Sequence, residues 1–296
     1  DDVLRAYLAG LLAAHRGMPE VVVAFQGGEP TLMGLDFFRR VVELERELAE
    51  PGQEVLNTLQ TNATLIDDEW AAFLRDEGFL VGVSIDGPRA LHDAFRRDKG
   101  GKPTYDRVVA GLDALRRHGV EWNALTTVNS ANQEHGLEVY RFLRDDLGAR
   151  FVQLIPIVER ATPELLPLVA DGWGRRGDRP LYVQEGDRVT HRSVDPEAYG
   201  RFLVAVFDEW VSRDVGEVYV QSFDTALAHW LGMPDAGVCV HAETCGRSLA
   251  LEHNGDVYSC DHFVEPRHRI GNLADDRTLL QIVDSPQQQA FGAAKA

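Results

Sequence analysis

The chain has 296 residues, 44% of them hydrophobic and 26% charged, with a formal net charge of -17. That is enough to bury a full core in one large domain, or in a domain with a smaller appendage. The negative balance repels a phosphate backbone, and the short Arg96, Arg97, Lys99 group reads as a solvated loop, so nucleic acid is not an expected partner. No apolar run reaches the roughly 18 residues that a membrane helix needs, so no membrane partner is expected and a cytoplasmic location is the default. The first residue is Asp1 rather than Met, which reads as processing or as a fragment.

In chain order, residues 2 to 15 place Leu4, Leu8, Leu11 and Leu12 on one helical face, and residues 21 to 26 form a β-branched strand. A helix follows near 35 to 49, a strand over 55 to 61, and a helix near 67 to 77 that opens on Asp67, Asp68 and Glu69 and stops at Gly78. The third strand spans 79 to 86 and its helix 104 to 118; the fourth strand spans 120 to 129 and its helix 133 to 147; the fifth strand spans 149 to 158. This alternation predicts an α/β fold with a parallel sheet and right-handed crossovers.

In such a sheet the loops leaving the C-terminal strand ends build the ligand site. Polar residues gather at those ends: Gln26 to Glu29 after the first strand, Gln60 to Asn62 after the second, Ser84 and Asp86 after the third, Gln153 in the fifth. Each alone reads as a turn or cap residue. At successive strand ends they point to one site.

Residues 159 to 194 are rich in Gly, Pro and charge and lack sustained periodicity, which predicts a loop or linker. Asp195 and Pro196 then open an amphipathic helix. VYVQSF, 218 to 223, is a short strand or extended piece leading to Asp224, which could equally cap the helix TALAHWL. The expected division is 1–158 for the sheet domain, 159–194 for the linker, 195–236 for connecting helices and 237–296 for a small cysteine-containing region.

All three cysteines, Cys239, Cys245 and Cys260, fall in that last region. Asn254-Gly255 between LALE and DVYS is a strong hairpin signal, and it predicts that Cys245 and Cys260 return side by side. Buried free thiols are the bland reading. Confinement to one hairpin favours a ligand set, completed by His241, His253 or His262 as a zinc site or by a further cysteine as an iron-sulfur cluster.

QGGEPTL, LQTNAT, VSIDGP, FRRDKGG, VQLIPIV and the C-x5-C-x14-C hairpin with NGDVYSCD, taken together, resemble radical S-adenosylmethionine (SAM) enzymes with a C-terminal SPASM domain, and more closely anaerobic sulfatase-maturating enzymes. The resemblance implies a (βα)6-type partial barrel in which five βα units are present and the first is missing, followed by the start of the SPASM region. It places Gly28 and Glu29 on the amino group of SAM, Ser84 near its ribose and carboxylate, Arg96 on its carboxylate and Val158 against the adenine. Asp224 matches the general base, and Cys239, Cys245 and Cys260 match three ligands of an auxiliary 4Fe-4S cluster. The implied reaction is removal of a Cβ hydrogen from a Cys or Ser of a sulfatase by the 5′-deoxyadenosyl radical. Asp224 takes the thiol or hydroxyl proton, and the product is Cα-formylglycine. A flavodoxin or ferredoxin is the implied electron donor.

Three departures accompany these matches. The C-x3-C-x2-C motif that binds the SAM cluster is not in the sequence, nor are the remaining SPASM cysteines, and Ala63 stands where the family has Gly, which requires a non-positive φ there. The resemblance is thus incomplete at both ends, and residues 1–296 alone are expected not to carry out the radical chemistry. With the first strand missing, VVVAFQ is expected to present an aggregation-prone edge. Two other readings stand beside the leading one: a radical SAM/SPASM maturase that crosslinks or epimerises ribosomal peptides, and a non-catalytic peptide-binding barrel with a zinc hairpin.

Overall fold

The computed structural model describes residues 2–170, 172–174, 180, 182–233, 237–245 and 247–295. In chain order the elements are α1 (Asp2–Ala14), β1 (Glu20–Phe25), α2 (Leu35–Leu48), β2 (Glu54–Thr61), α3 (Asp68–Asp76), β3 (Leu80–Ser84), α4 (Arg89–Phe95), α5 (Tyr105–His118), β4 (Trp122–Val128), α6 (Gly136–Arg141) and β5 (Phe151–Pro156). There follow β6 (Arg160–Ala161), β7 (Arg188–Val189), α7 (Pro196–Arg213), β8 (Tyr219–Val220), α8 (Gln221–Trp230), β9 (Ala250–Leu251), β10 (Asp256–Tyr258), β11 (Arg269–Asn272), α9 (Leu279–Val283) and α10 (Pro286–Ala293).

One compact unit comprises Asp1–Leu59, Glu77–Phe79 and Val238–Ala296. Here β1 pairs in parallel with β2, Val21 opposite Val55 and Val23 opposite Asn57. Side chains alternate faces along a strand, so Val21 and Val23 are buried while Val22 is 56% exposed. The buried face packs on α1 and α2 through Leu8, Val23 and Leu44, with Tyr7, Phe25 and Val55 around them. Among the described residues β2 is the only strand paired with β1. The cysteine region forms an antiparallel β9–β10–β11 sheet over a core of Val257, Ile270 and Ile282.

Asn57 and Glu45 form a polar intrusion between α2 and β2. Glu45 is 4% and Asn57 5% exposed, and Asn57 Nδ2 donates to Glu45 Oε2 at 2.9 Å. The other two oxygens, Glu45 Oε1 and Asn57 Oδ1, are buried with no donor, so burial pushes the Glu45 carboxyl up to about 7.

The second unit comprises Gln60–Asp76 and Leu80–Gly237. Here β3, β4, β5 and β8 pair in parallel: Ser84 lies opposite Leu125, Val128 opposite Pro156, and Val152 opposite Val220. The extended piece expected over 218 to 223 is a strand only at Tyr219 and Val220, because Gln221 already starts α8. It adds a parallel strand beyond the five expected. Asp195 caps α7, its Oδ1 accepting from the Ala198 amide at 2.9 Å with Pro196 at the first helical position. The expected linker carries the β6–β7 pair and places Ala161 and Val169 in the core.

Ala63 overturns the expectation of a non-positive φ. It adopts φ 56 and is the one non-glycine described residue in the left-handed region. Thr61 Oγ1 accepts the Ala63 amide at 3.0 Å, and Asn62 Oδ1 accepts the Thr64 amide at 2.9 Å; these local bonds impose the turn. Gly111 on α5 packs so close that a Cβ there would lie 2.1 Å from the Ala63 carbonyl oxygen.

Candidate active site

In the first unit, β1 ends in the Gln26-Gly27-Gly28-Glu29-Pro30 loop. Gly27 and Gly28 have φ of 82 and 56, a conformation that side chains disfavour, and a Cβ at either would meet nothing within 4 Å. The backbone here is therefore both glycine-requiring and open to a ligand. Glu29 Oε1 accepts from the Thr31 amide at 3.1 Å and the Thr31 hydroxyl at 2.6 Å, capping the short turn Pro30–Met33. This fixes the carboxylate at the mouth of the loop.

Gln26 Nε2 donates to Asp261 Oδ2 at 2.7 Å. Asp261 follows Cys260, whose thiol donates to Asp261 Oδ1 at 3.2 Å, and His262 Nδ1 lies 3.8 Å from the sulfur. Burial pushes the Cys260 thiol up to about 11, with Asp261 and Cys239 adding to the rise as neighbouring negative groups.

The hairpin forms as expected, with Gly255 at φ 83 in its turn, but its register sets Tyr258 opposite Ala250 and Val257 opposite Leu251. Continued, that register brings Cys260 across from residue 248, not from Cys245. The expected side-by-side return of Cys245 and Cys260 is thus corrected by the four-residue turn 252–255. Cys245 instead meets α10, where its amide bonds to the Gly292 carbonyl at 3.3 Å. Among the described residues the ligand atoms gathered within 4.8 Å of one another are those of Cys260, Asp261 and His262. All three thiols are unbridged and lie in the first unit, and thiols are the donor type that an iron-sulfur cluster takes.

The second unit presents the other predicted residues. Ser84, 8% exposed, closes β3. Two residues on, Asp86 accepts both Nε and Nη2 of Arg96, at 2.7 and 3.0 Å, and also the Thr127 amide at 2.9 Å. Burial opposes the charge of Arg96, and the Asp86 carboxylate outweighs it, leaving the guanidinium pKa raised. Two of its three nitrogens face Asp86, and Nη2 also lies 3.5 Å from Thr127 Oγ1.

His92 anchors this loop. Fully buried, it accepts the Asp86 amide at Nδ1 (3.3 Å) and donates from Nε2 to Thr104 Oγ1 (3.1 Å), and burial lowers its pKa to about 4. Val158 lies two residues past the end of β5 and is 53% exposed, an apolar surface at a strand end.

Asp224 sits in the first turn of α8 while Val220 is the cap residue, so the helix-cap reading of Asp224 fails. Its Oδ2 is buried without a partner, and burial raises its pKa. It lines a cavity of about 380 Å3 with Asn123, Gln153 and Gln221.

The radical SAM superfamily profile matches residues 5–143, and a SPASM iron-sulfur cluster-binding domain profile matches residues 239–296. A serine-type anaerobic sulfatase-maturating enzyme of Bacteroides thetaiotaomicron is 42% identical over 295 residues, covering 100% of this chain and 68% of the relative. The chain belongs to the anaerobic sulfatase-maturating enzymes. A cysteine-type member from Clostridium perfringens is 32% identical over 98% of this chain and 72% of its own length. The solved structure of native anSMEcpe with bound AdoMet superposes with a TM-score of 0.84 at 30% identity, over 100% of this chain and 74% of that one. The same enzyme with AdoMet and the Cp18Cys peptide gives 0.85. The family membership makes this chain a radical SAM oxidoreductase with iron-sulfur clusters, and favours neither the crosslinking nor the zinc-hairpin reading. No helix among the described residues is long and apolar enough to cross a membrane.

Asp261 and its contact with Gln26 escaped the sequence reading. The signal was present in the CD of NGDVYSCD, a carboxylate adjoining a ligand-type cysteine.

Proposed function

We propose that the protein oxidises a Cys or Ser of a sulfatase peptide to Cα-formylglycine, with Gly28 and Glu29 holding the amino group of SAM and Arg96 its carboxylate. Ser84 and Val158 serve the ribose and adenine, and Cys239, Cys245 and Cys260 hold an auxiliary cluster. SAM and the clusters, when bound, supply one-electron removal of hydrogen from the substrate Cβ and accept the second electron; an external flavodoxin or ferredoxin resupplies the first. The chain's own residues must position the two reactants and take the thiol or hydroxyl proton; on a Cys substrate the thioaldehyde so formed then takes up water and releases hydrogen sulfide to leave the aldehyde.

The observation that carries this reading is the 2.7 Å bond from Gln26 to Asp261. It joins the residue before Gly27-Gly28-Glu29 to the residue after Cys260. A carboxylate there is near both the SAM loop and the cluster ligand, where a proton must leave as an electron does. We therefore assign the proton-accepting role to Asp261. Asp224 is the second candidate, supported by its desolvated carboxylate. Asp86 and His92 are positioning residues: the first aligns the Arg96 guanidinium, and the second ties down the loop that carries both.

The test uses the full-length gene product, reconstituted anaerobically with iron and sulfide. Given SAM, reductant and a Cys-x-Pro-x-Arg or Ser-x-Pro-x-Arg peptide, it should release 5′-deoxyadenosine and form a peptide aldehyde. Deoxyadenosine with a crosslinked or epimerised peptide, and no aldehyde, would overturn the assignment.

A further inference from the structure

The assignment of the proton to Asp261 leaves the cavity around Asp224 for another role, and its chemistry is unusual. Of the residues that line it, Asp224 is the only one with a formal charge; the others offer the carboxamides of Asn123, Gln153 and Gln221 and the rings of Phe151 and Tyr219. The two rings stack at 5.0 Å with a 12° interplanar angle, and they are 48% and 44% exposed. Asp224 Oδ2 has no hydrogen-bond donor. A partly desolvated carboxylate without a cation is underbound, and the surrounding carboxamide oxygens are acceptors as well.

We propose that this cavity seats a cationic side chain of the peptide substrate, a guanidinium in preference to an ammonium. A guanidinium brings five donors in a planar fork, enough to reach the Asp224 carboxylate and neighbouring carboxamide oxygens together while its flat face lies on the exposed aromatic pair. An ammonium has three donors and no face to stack. An anionic ligand would meet Asp224 with no Lys, Arg or His in the lining to offset it. The inference rests on the peptide-oxidising reading above, and it makes Asp224 a specificity residue for the peptide.

The experiment measures binding, not turnover. Fluorescence anisotropy on the reconstituted full-length protein with SAM compares a labelled Cys-x-Pro-x-Arg peptide with the same peptide carrying citrulline in place of arginine, isosteric and uncharged. A charge-assisted contact of this kind corresponds to about ten- to a hundredfold tighter binding of the arginine peptide. Asp224→Asn should bring the two peptides to within about twofold of each other while leaving the citrulline affinity unchanged. Equal affinity of both peptides for the unsubstituted protein would overturn the proposal and leave the oxidation reading standing. So would an Asp224→Asn protein that keeps the discrimination. A protein that binds neither peptide overturns both.

Discussion

Replacing Glu45 by Gln tests whether a buried carboxyl works against the fold of the first unit. A carboxyl lifted from the usual 4.5 to about 7 binds a proton in the folded state over a range where the unfolded chain has released it. Stability contributed by the group is therefore full below about pH 4.5 and is lost as pH rises through 7. At 1.36 kcal/mol per pH unit, the loss above pH 7 is on the order of 3 kcal/mol. Gln cannot ionise, and its amide hydrogens can serve Asn57 Oδ1, which now has no donor. Urea unfolding at pH 8 should show Glu45→Gln more stable by about 3 kcal/mol, and at pH 5 the gain should shrink to about 1 kcal/mol or less. Equal gains at both pH values, or a destabilised variant at pH 8, would refute the reasoning.

His92 gives the opposite sign: its folded pKa of about 4 lies below the ordinary 6.5, so its contribution is present above pH 6.5 and lost as pH falls through 4. His92→Gln should therefore be relatively less harmful at pH 4.5 than at pH 7.5 in the same urea assay. Gly111→Ala should cost at least about 2 kcal/mol, since its Cβ would meet backbone rather than a movable side chain, whereas Gly17→Ala, in open space at φ 81, should cost about 1 kcal/mol. Arg96→Lys should weaken SAM binding about tenfold or more by equilibrium dialysis, because an ammonium cannot bridge Asp86 and an anion as a fork does. Cys260→Ser should lower iron and sulfide content after reconstitution while SAM binding survives.

The alternating elements were legible because periodicity and caps are local: Asp195-Pro196 and Asn254-Gly255 each specify a boundary with two adjacent residues. The strand-end residues were legible for the same reason, since topology alone sends Gly28 and Glu29 to the loop after β1 and Ser84 to the end of β3, whereas Arg96, at the C-terminal end of α4, was singled out by the family resemblance. Where the reading failed, distant packing decides. The left-handed φ of Ala63 depends on the close approach of Gly111, 48 positions away, and on side-chain bonds that a consensus turn does not encode. The Glu45–Asn57 contact is invisible because both residues look like surface positions in a one-dimensional pattern. Asp224 was singled out by the family resemblance, while Asp261 gained its position from a contact with Gln26, 235 residues earlier in the chain.

The assignment of Asp261 is the claim on which the account turns, and one comparison tests it most directly: aldehyde and 5′-deoxyadenosine yields from Asp261→Asn and Asp224→Asn proteins given saturating peptide. Asp261→Asn should release deoxyadenosine yet form aldehyde at least about a hundredfold more slowly, with Asp224→Asn retaining aldehyde formation once peptide saturates. Wild-type aldehyde formation by Asp261→Asn, with its loss in Asp224→Asn, would contradict the assignment.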